Sequence, residues 1–276
     1  MSSALAGKSV VVTGGSMGIG YATAREALQG GANVTIFARG ARELEKAAHD
    51  LSSEGYEDRV NWIAGDVSVA ADVERLFERA SARFSGIDGV VNAAAVLEPI
   101  GTILDVDPAA WLRTVEIDLF GTFLVTRAAC AAMRERGGSI VLFSGGGASA
   151  AYPNFTAYAC SKTGVVRFAE TAAREMEPFG IRINALAPGL VATRMVEITR
   201  RSGAAGASAA PPVSPDRAAR ACVFFLSDAA RGITGKFVSA VHDGYERWPE
   251  RLDELRDSDL FTLRRILPRE RGMEWQ

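Results

Sequence analysis

Residues Ser9–Gln29 read SVVVTGGSMGIGYATAREALQ, an apolar run, a glycine-rich turn and a helical segment in direct succession. The consecutive valines suit a strand buried inside a sheet. The turn Gly14-Gly15-Ser16-Met17-Gly18-Ile19-Gly20 follows, and a helix opens on its last glycines. Strand, turn and helix in this order make a glycine pattern into a nucleotide site. Glycines let the main chain approach a pyrophosphate, while the helix N-terminus offers unbonded N–H groups and a favourable dipole.

The same alternation continues along the chain. Further strands are expected at Asn33–Ala38, Arg59–Ala64, Asp88–Asn92, Ile140–Ser144, Arg182–Ala187 and Lys236–Val241. Helices are expected at Arg42–Leu51, Val73–Phe84, Pro108 to about Met133, Thr156–Glu177 and Pro215–Ser227. Strand and helix alternate without a hairpin signal, so the fold class is α/β with a parallel, doubly wound sheet. Residues 194–213 include the small, flexible run RRSGAAGASAAPPV. Following a strand's C-terminal end, such a loop is placed to act as a substrate lid.

Composition narrows the function. The 276 residues are 48% hydrophobic and 23% charged with net charge −2, which fits one soluble domain and gives no basic face for nucleic acid or a membrane. Cys130, Cys160 and Cys222 suit reduced thiols, and MSSALAGK is no export signal, so the cytoplasm is the expected compartment. With only His49 and His242, a histidine metal site or a Ser/His/Asp hydrolase is hard to build, and no metal is expected.

A second stretch, Ile140–Lys162, reads IVLFSGGGASAAYPNFTAYACSK. On a helix from Thr156, Tyr158 and Lys162 lie one turn apart on one face. An ammonium beside a phenol favours the phenolate. A group of ordinary pKa near ~10 then becomes a proton donor and acceptor usable near neutrality.

These pieces together resemble the short-chain dehydrogenase/reductase family. The matching landmarks are Thr13-Gly-x-x-x-Gly18-x-Gly20, Asp66-Val67, Asn92-Ala-Ala, Tyr158-x-x-x-Lys162, and Asn184 through Pro188-Gly189 to Thr193. The resemblance implies a single-domain Rossmann fold over residues 1–245, with a sheet of about seven strands and a C-terminal extension over 246–276. It implies that Gly14, Gly18 and Gly20, with Ile19, cradle the dinucleotide phosphates. Asp66 and Val67 would meet the adenine. Asn92, with Ala93 beside it, would steady the fourth strand and the cofactor ribose. Lys162 would hold the nicotinamide ribose and lower the Tyr158 pKa, while Pro188, Gly189, Val191 and Thr193 position the carboxamide. Tyr158 would be the acid/base.

Charge argues for the cofactor. The place at the end of the second strand where a carboxylate would select NAD is Ala38, and Arg39 follows it. A guanidinium suits a 2′-phosphate, and Ser16 can add a hydroxyl, so NADP is expected ahead of NAD.

Three positions depart from the family. Its serine thirteen places before the tyrosine is Gly145 here, the asparagine of its fourth helix is Asp118, and its Asn-Ala-Gly is Asn92-Ala93-Ala94. Ser144 is the nearest replacement hydroxyl and Ser149 the other candidate, although neighbouring strand positions face opposite sides. The alternative is that no hydroxyl is supplied and a substrate group or water substitutes. Asp118 would favour a charged Lys162 and weaken its hold on a phenolate.

The expected activity is an NADP-dependent oxidoreductase interconverting a secondary alcohol and a ketone, with Tyr158, Lys162, Ser144 and Asp118 as its catalytic set. The alternative is a degenerate NADP-binding subunit or sensor without turnover. Apolar residues on the fourth and fifth helices, among them Trp111, Leu112, Phe123 and Phe168, point to a homodimer or homotetramer. The extension holds Trp248, Leu252, Leu255 and Phe261, too much apolar surface to leave in water. It is expected to pack on its own domain or on a neighbouring subunit.

Overall fold

The computed structural model describes residues 3–192, 197, 211–256 and 258–274. Its strands are β1 (Ser9–Thr13), β2 (Asn33–Ala38), β3 (Val60–Ala64), β4 (Gly89–Asn92), β5 (Gly138–Phe143), β6 (Ile181–Ala187) and β7 (Phe237–Ser239). All pair in parallel, in the order β3-β2-β1-β4-β5-β6-β7. The helices are α1 (Gly18–Gln29), α2 (Ala41–Leu51), α3 (Ala70–Phe84), α4 (Pro108–Val115), α5 (Gly121–Met133), α6 (Thr156–Met176), α7 (Pro215–Leu226) and the short α8 (Leu252–Arg256).

The valine run of β1 has a simple cause. Successive strand residues face opposite sides, and here both sides are covered. Val10 and Val12 enter a core with Leu28, Ile36 and Phe225, beneath α1, α2 and α7. Val11 enters the opposite core with Leu76, Val125, Val165 and Leu142, beneath α3, α5 and α6. Strand order reverses between β1 and β4, and a crevice opens there at the strands' carboxyl ends.

Two elements differ from the sequence reading. The helix expected from Pro108 to Met133 is interrupted by a wide π turn over Glu116–Phe120, and Asp118 sits in it. Such turns concentrate at functional positions. The last strand is shortened to Phe237–Ser239 because a local turn takes its continuation. Asp243 accepts from the Ser239 N–H at 2.7 Å, and the Ser239 hydroxyl accepts from the Val241 and His242 N–H groups.

The extension folds onto its own domain. Trp248 and Leu255 join Tyr245 in the first core, and the Trp248 ring lies 4.3 Å from that of Phe261. The Phe237 N–H of β7 donates to the Phe261 carbonyl at 2.7 Å. Buried Lys236 donates to the Ser258 and Leu260 carbonyls, and Glu170 of α6 accepts from the Leu263 N–H at 2.6 Å. Within the extension, Arg264 is paired with Asp259 and Glu270.

Candidate active site

The glycine turn fills the crevice between β1 and β4. Gly14 has φ +66°, and a Cβ there would stand 2.8 Å from the Ala93 and Ala94 main chain. Two independent constraints therefore require glycine. A Cβ on Gly20 would collide with the Gly14 carbonyl, so α1 and the turn are packed backbone to backbone. No side chain caps α1, and its first-turn N–H groups remain available to an anion.

Around the turn, polar side chains tie the elements together. Asn92 accepts from the Thr13 hydroxyl at 2.5 Å and donates to the Thr122 hydroxyl at 2.8 Å. Thr122 in turn donates to the Asp118 carbonyl at 2.6 Å. One buried chain of bonds thus links β1, β4, the π turn and α5.

At the end of β3, Asp66 accepts from the Ser68 N–H and hydroxyl and pairs with Arg113 at 2.6 Å. Burial alone would raise the Asp66 pKa, but the Ser68 donors and the Arg113 guanidinium outweigh it and hold the carboxyl below its ordinary range. Val67 is buried, and Gly121 of α5 lies so close that a Cβ there would meet the Val67 side chain at 2.9 Å. Arg39 is exposed at the end of β2, and neither it nor Ser16 has an ion pair or side-chain hydrogen bond among the described residues. Pro188, Gly189 and Val191 follow β6, with Val191 bridged to Val213. Thr193 and most of the expected lid lie outside the described residues.

α6 brings Tyr158 and Lys162 to the crevice on one face. Lys162 is buried, lies 5.5 Å from the Tyr158 ring centroid and donates to the Phe143 carbonyl at 3.3 Å. Its Nζ is 3.2 Å from Asp118 Oδ2, an ion pair without an aligned hydrogen bond. Asp118 Oδ1 accepts from the Val96 N–H at 2.8 Å. Burial raises the Asp118 pKa, against the opposing pull of Lys162 and the Val96 N–H.

Here the structure corrects two expectations. Tyr158 is held above its ordinary pKa, not below it: burial is the largest cause, then the charge of Asp118, then Tyr152. Asp118, paired with Lys162 at 3.2 Å, opposes the phenolate that the lysine would favour. Ser144 is likewise not placed as the replacement hydroxyl. It is buried and donates to the Lys162 carbonyl at 3.0 Å, while the Tyr158 hydroxyl lies only 2.6 Å from where a Cβ on Gly145 would stand. Gly145 faces the phenol, so its neighbour faces the other way. Ser149 donates to the Gly146 carbonyl at 3.1 Å.

Arg113 and Thr122 were not singled out from the sequence, and Thr13 entered only as the residue ahead of the glycine turn. The partners of Thr13, Arg113 and Thr122 are 79, 47 and 30 positions away, and no local pattern marks these pairs.

Fold and crevice together define a doubly wound, dinucleotide-binding type of α/β protein with a tyrosine one helical turn from a buried lysine. The family model described as enoyl-(acyl carrier protein) reductase matches residues 14–246. The chain is 35% identical to cis-4-hydroxycyclohexanecarboxylate dehydrogenase of Sinomonas cyclohexanicum over 252 residues, covering 89% of this chain and 99% of that protein. Among solved structures, levodione reductase superposes with TM-score 0.81 at 28% identity, covering 88% of this chain and 98% of its own. A single-substitution variant of actinorhodin polyketide ketoreductase with NADPH superposes with TM-score 0.78 at 26% identity, covering 87% and 97%. The chain belongs to the short-chain dehydrogenase/reductase family and is an oxidoreductase acting on CH–OH groups.

Proposed function

We propose that the protein is an NADP-dependent oxidoreductase that interconverts a secondary alcohol and a ketone, with Tyr158 moving the proton at the reacting oxygen. The observation that carries this reading is the pairing of Tyr158 with Lys162 beside an uncapped, glycine-lined helix start. The crevice suits the cofactor, since the helix start beside the glycine turn has no side-chain cap and its N–H groups can take a phosphate. When bound, NADP(H) supplies or accepts the hydride. The phosphates would rest on Gly14, Gly18, Ile19 and Gly20, the adenine beside Asp66 and Val67, and the nicotinamide end near Asn92, Ala93, Lys162, Pro188, Gly189, Val191 and Thr193. A panel of secondary alcohols and ketones, followed at 340 nm beside a cofactor titration, tests turnover. Binding without any turnover would favour the subunit or sensor reading.

Arg39 carries the cofactor preference, being exposed at the end of β2 with no competing partner among the described residues. NADP(H) should bind tighter than NAD(H) by about tenfold or more, since a charge-assisted hydrogen bond is worth about 1.5–3 kcal/mol. Arg39→Asp should reverse the order in fluorescence titrations. Equal affinities in the wild type would refute the assignment.

After burial, Asp118 is the next cause of the raised Tyr158 pKa and so helps set the pH range. Its carboxylate disfavours the Tyr158 phenolate and neutralises Lys162, so removing the charge should bring the phenol's pKa down. In alcohol oxidation Tyr158 acts as the base, so the rising limb of kcat/KM against pH should move to lower pH in Asp118→Asn. A limb that stays in place would show that Asp118 does not tune the phenol.

An apolar face also points to assembly. Leu112, Phe120 and Phe123 are 54%, 48% and 42% exposed on α4, the π turn and α5, and the Phe123 ring meets that of Phe168 edge-on. We infer a two-fold dimer through this face, or a tetramer that contains it. Light scattering at micromolar concentration should give a dimer or larger, and a monomer would count against it.

A further inference from the structure

Gly145 leaves the reacting oxygen without a second donor on the β5 side, yet the loop that follows is rich in hydroxyls. Between residues 144 and 163 most of them are already engaged. Ser144 and Ser149 donate to main-chain carbonyls, as do Ser161 and Thr163, and Thr156 accepts from the Trp111 indole at 3.1 Å. The two phenols, Tyr152 and Tyr158, are the hydroxyls of this segment with no hydrogen bond among the described residues.

They are also neighbours. The ring centroids of Tyr152 and Tyr158 are 6.4 Å apart with planes at 53°. Tyr152 is half-buried and held in place: its ring stacks on buried Phe155 at 4.5 Å and 21°, and its carbonyl accepts from the Phe155 N–H at 3.2 Å. On the side of Gly147, a Cβ would touch the Tyr152 ring at 3.5 Å. A ring stacked on a buried neighbour, with an unbonded hydroxyl, is a preorganised donor.

We propose that Tyr152 gives the substrate's reacting oxygen its second hydrogen bond, in place of the hydroxyl that Gly145 lacks. Tyr158 exchanges the proton with that oxygen, whereas Tyr152 donates a hydrogen bond and keeps its own proton. Burial holds the Tyr152 phenol above its ordinary pKa, which keeps it a donor at neutral pH. A substrate must then place its oxygen between two phenols, which favours a ketone or secondary alcohol whose oxygen is accessible from both sides.

The assignment rests on the oxidoreductase reading, and the experiment separates the two. Wild type, Tyr152→Phe and Tyr158→Phe are assayed with NADP+ on a panel of secondary alcohols that includes cis-4-hydroxycyclohexanecarboxylate, and with NADPH on cyclic ketones. Tyr152→Phe keeps the stacking on Phe155 and removes only the hydroxyl. We expect kcat to fall by about 100-fold or more, as for loss of one donor to a developing oxyanion. KM, NADPH affinity and melting temperature should stay close to wild type, whereas a merely structural role would move those and spare kcat. An active wild type with a Tyr152→Phe kcat within about twofold would overturn the role of Tyr152 alone. A wild type that turns over nothing on either panel would overturn the activity itself, and the role of Tyr152 with it.

Discussion

Replacing Tyr158 by phenylalanine should lower kcat by about 100-fold or more, the range of a lost general acid–base group, while NADPH binding stays nearly unchanged. The change removes one hydroxyl and leaves the ring beside Lys162. No serine stands at residue 145 to pass a proton in its place, and Ser144 is committed to the Lys162 carbonyl. Lys162→Ala should harm both binding and turnover, because it also leaves the buried Asp118 carboxylate without its counter-charge. Single-turnover rates beside fluorescence titrations would separate the two effects. A Tyr158→Phe protein that keeps most of its activity would mean that the proton comes from another group.

Ending the chain after Tyr245 should cost more stability than any single surface change. The removed segment contributes Trp248, Leu255 and Phe261 to the first core. Burial of each large side chain is worth about 1.5–3 kcal/mol, so the loss is about 5–9 kcal/mol, against a typical total of about 5–15 kcal/mol. The cut would also strip Glu170 of the Leu263 N–H and Lys236 of its two carbonyl partners. Because Glu170 lies on the helix that carries Tyr158 and Lys162, activity should fall as well. Should the truncated chain fail to fold, Trp248→Ala offers a milder version. At about 3–5 kcal/mol for an aromatic-to-alanine change and about 2–4 °C per kcal/mol, it should lower Tm by about 6–20 °C. A truncated protein that melts and turns over like the full chain would show the extension to be dispensable.

The sheet was readable because its strands are covered on both faces and therefore carry unbroken apolar runs, as at Val10–Val12 and Ile140–Phe143. The turn at Gly14 was readable because only glycine satisfies its constraints. What escaped the sequence depends on distance and direction. The π turn at Glu116–Phe120 interrupts an apolar pattern that is compatible with one continuous helix. Strand alternation argues against Ser144 from the sequence alone, and Asp118 is expected there to weaken the effect of Lys162. What cannot be read locally is the burial of Tyr158, the largest cause of its raised pKa, or the bond from Ser144 to the Lys162 carbonyl. Tyr152 stood in the quoted stretch, but nothing near it in sequence says that its hydroxyl would be left unbonded.

The last segment also bears on solubility. The outer strand of an open sheet is a template on which another chain can add itself, and proteins guard against this by shortening or covering it. β7 is three residues long, and its first N–H is already bonded to Phe261. The extension therefore acts as a cover against edge-to-edge aggregation at one end of the sheet. Proteolysis that removed it would uncover that edge and the aromatic surface around Phe225 together, turning a stability defect into a tendency to self-associate.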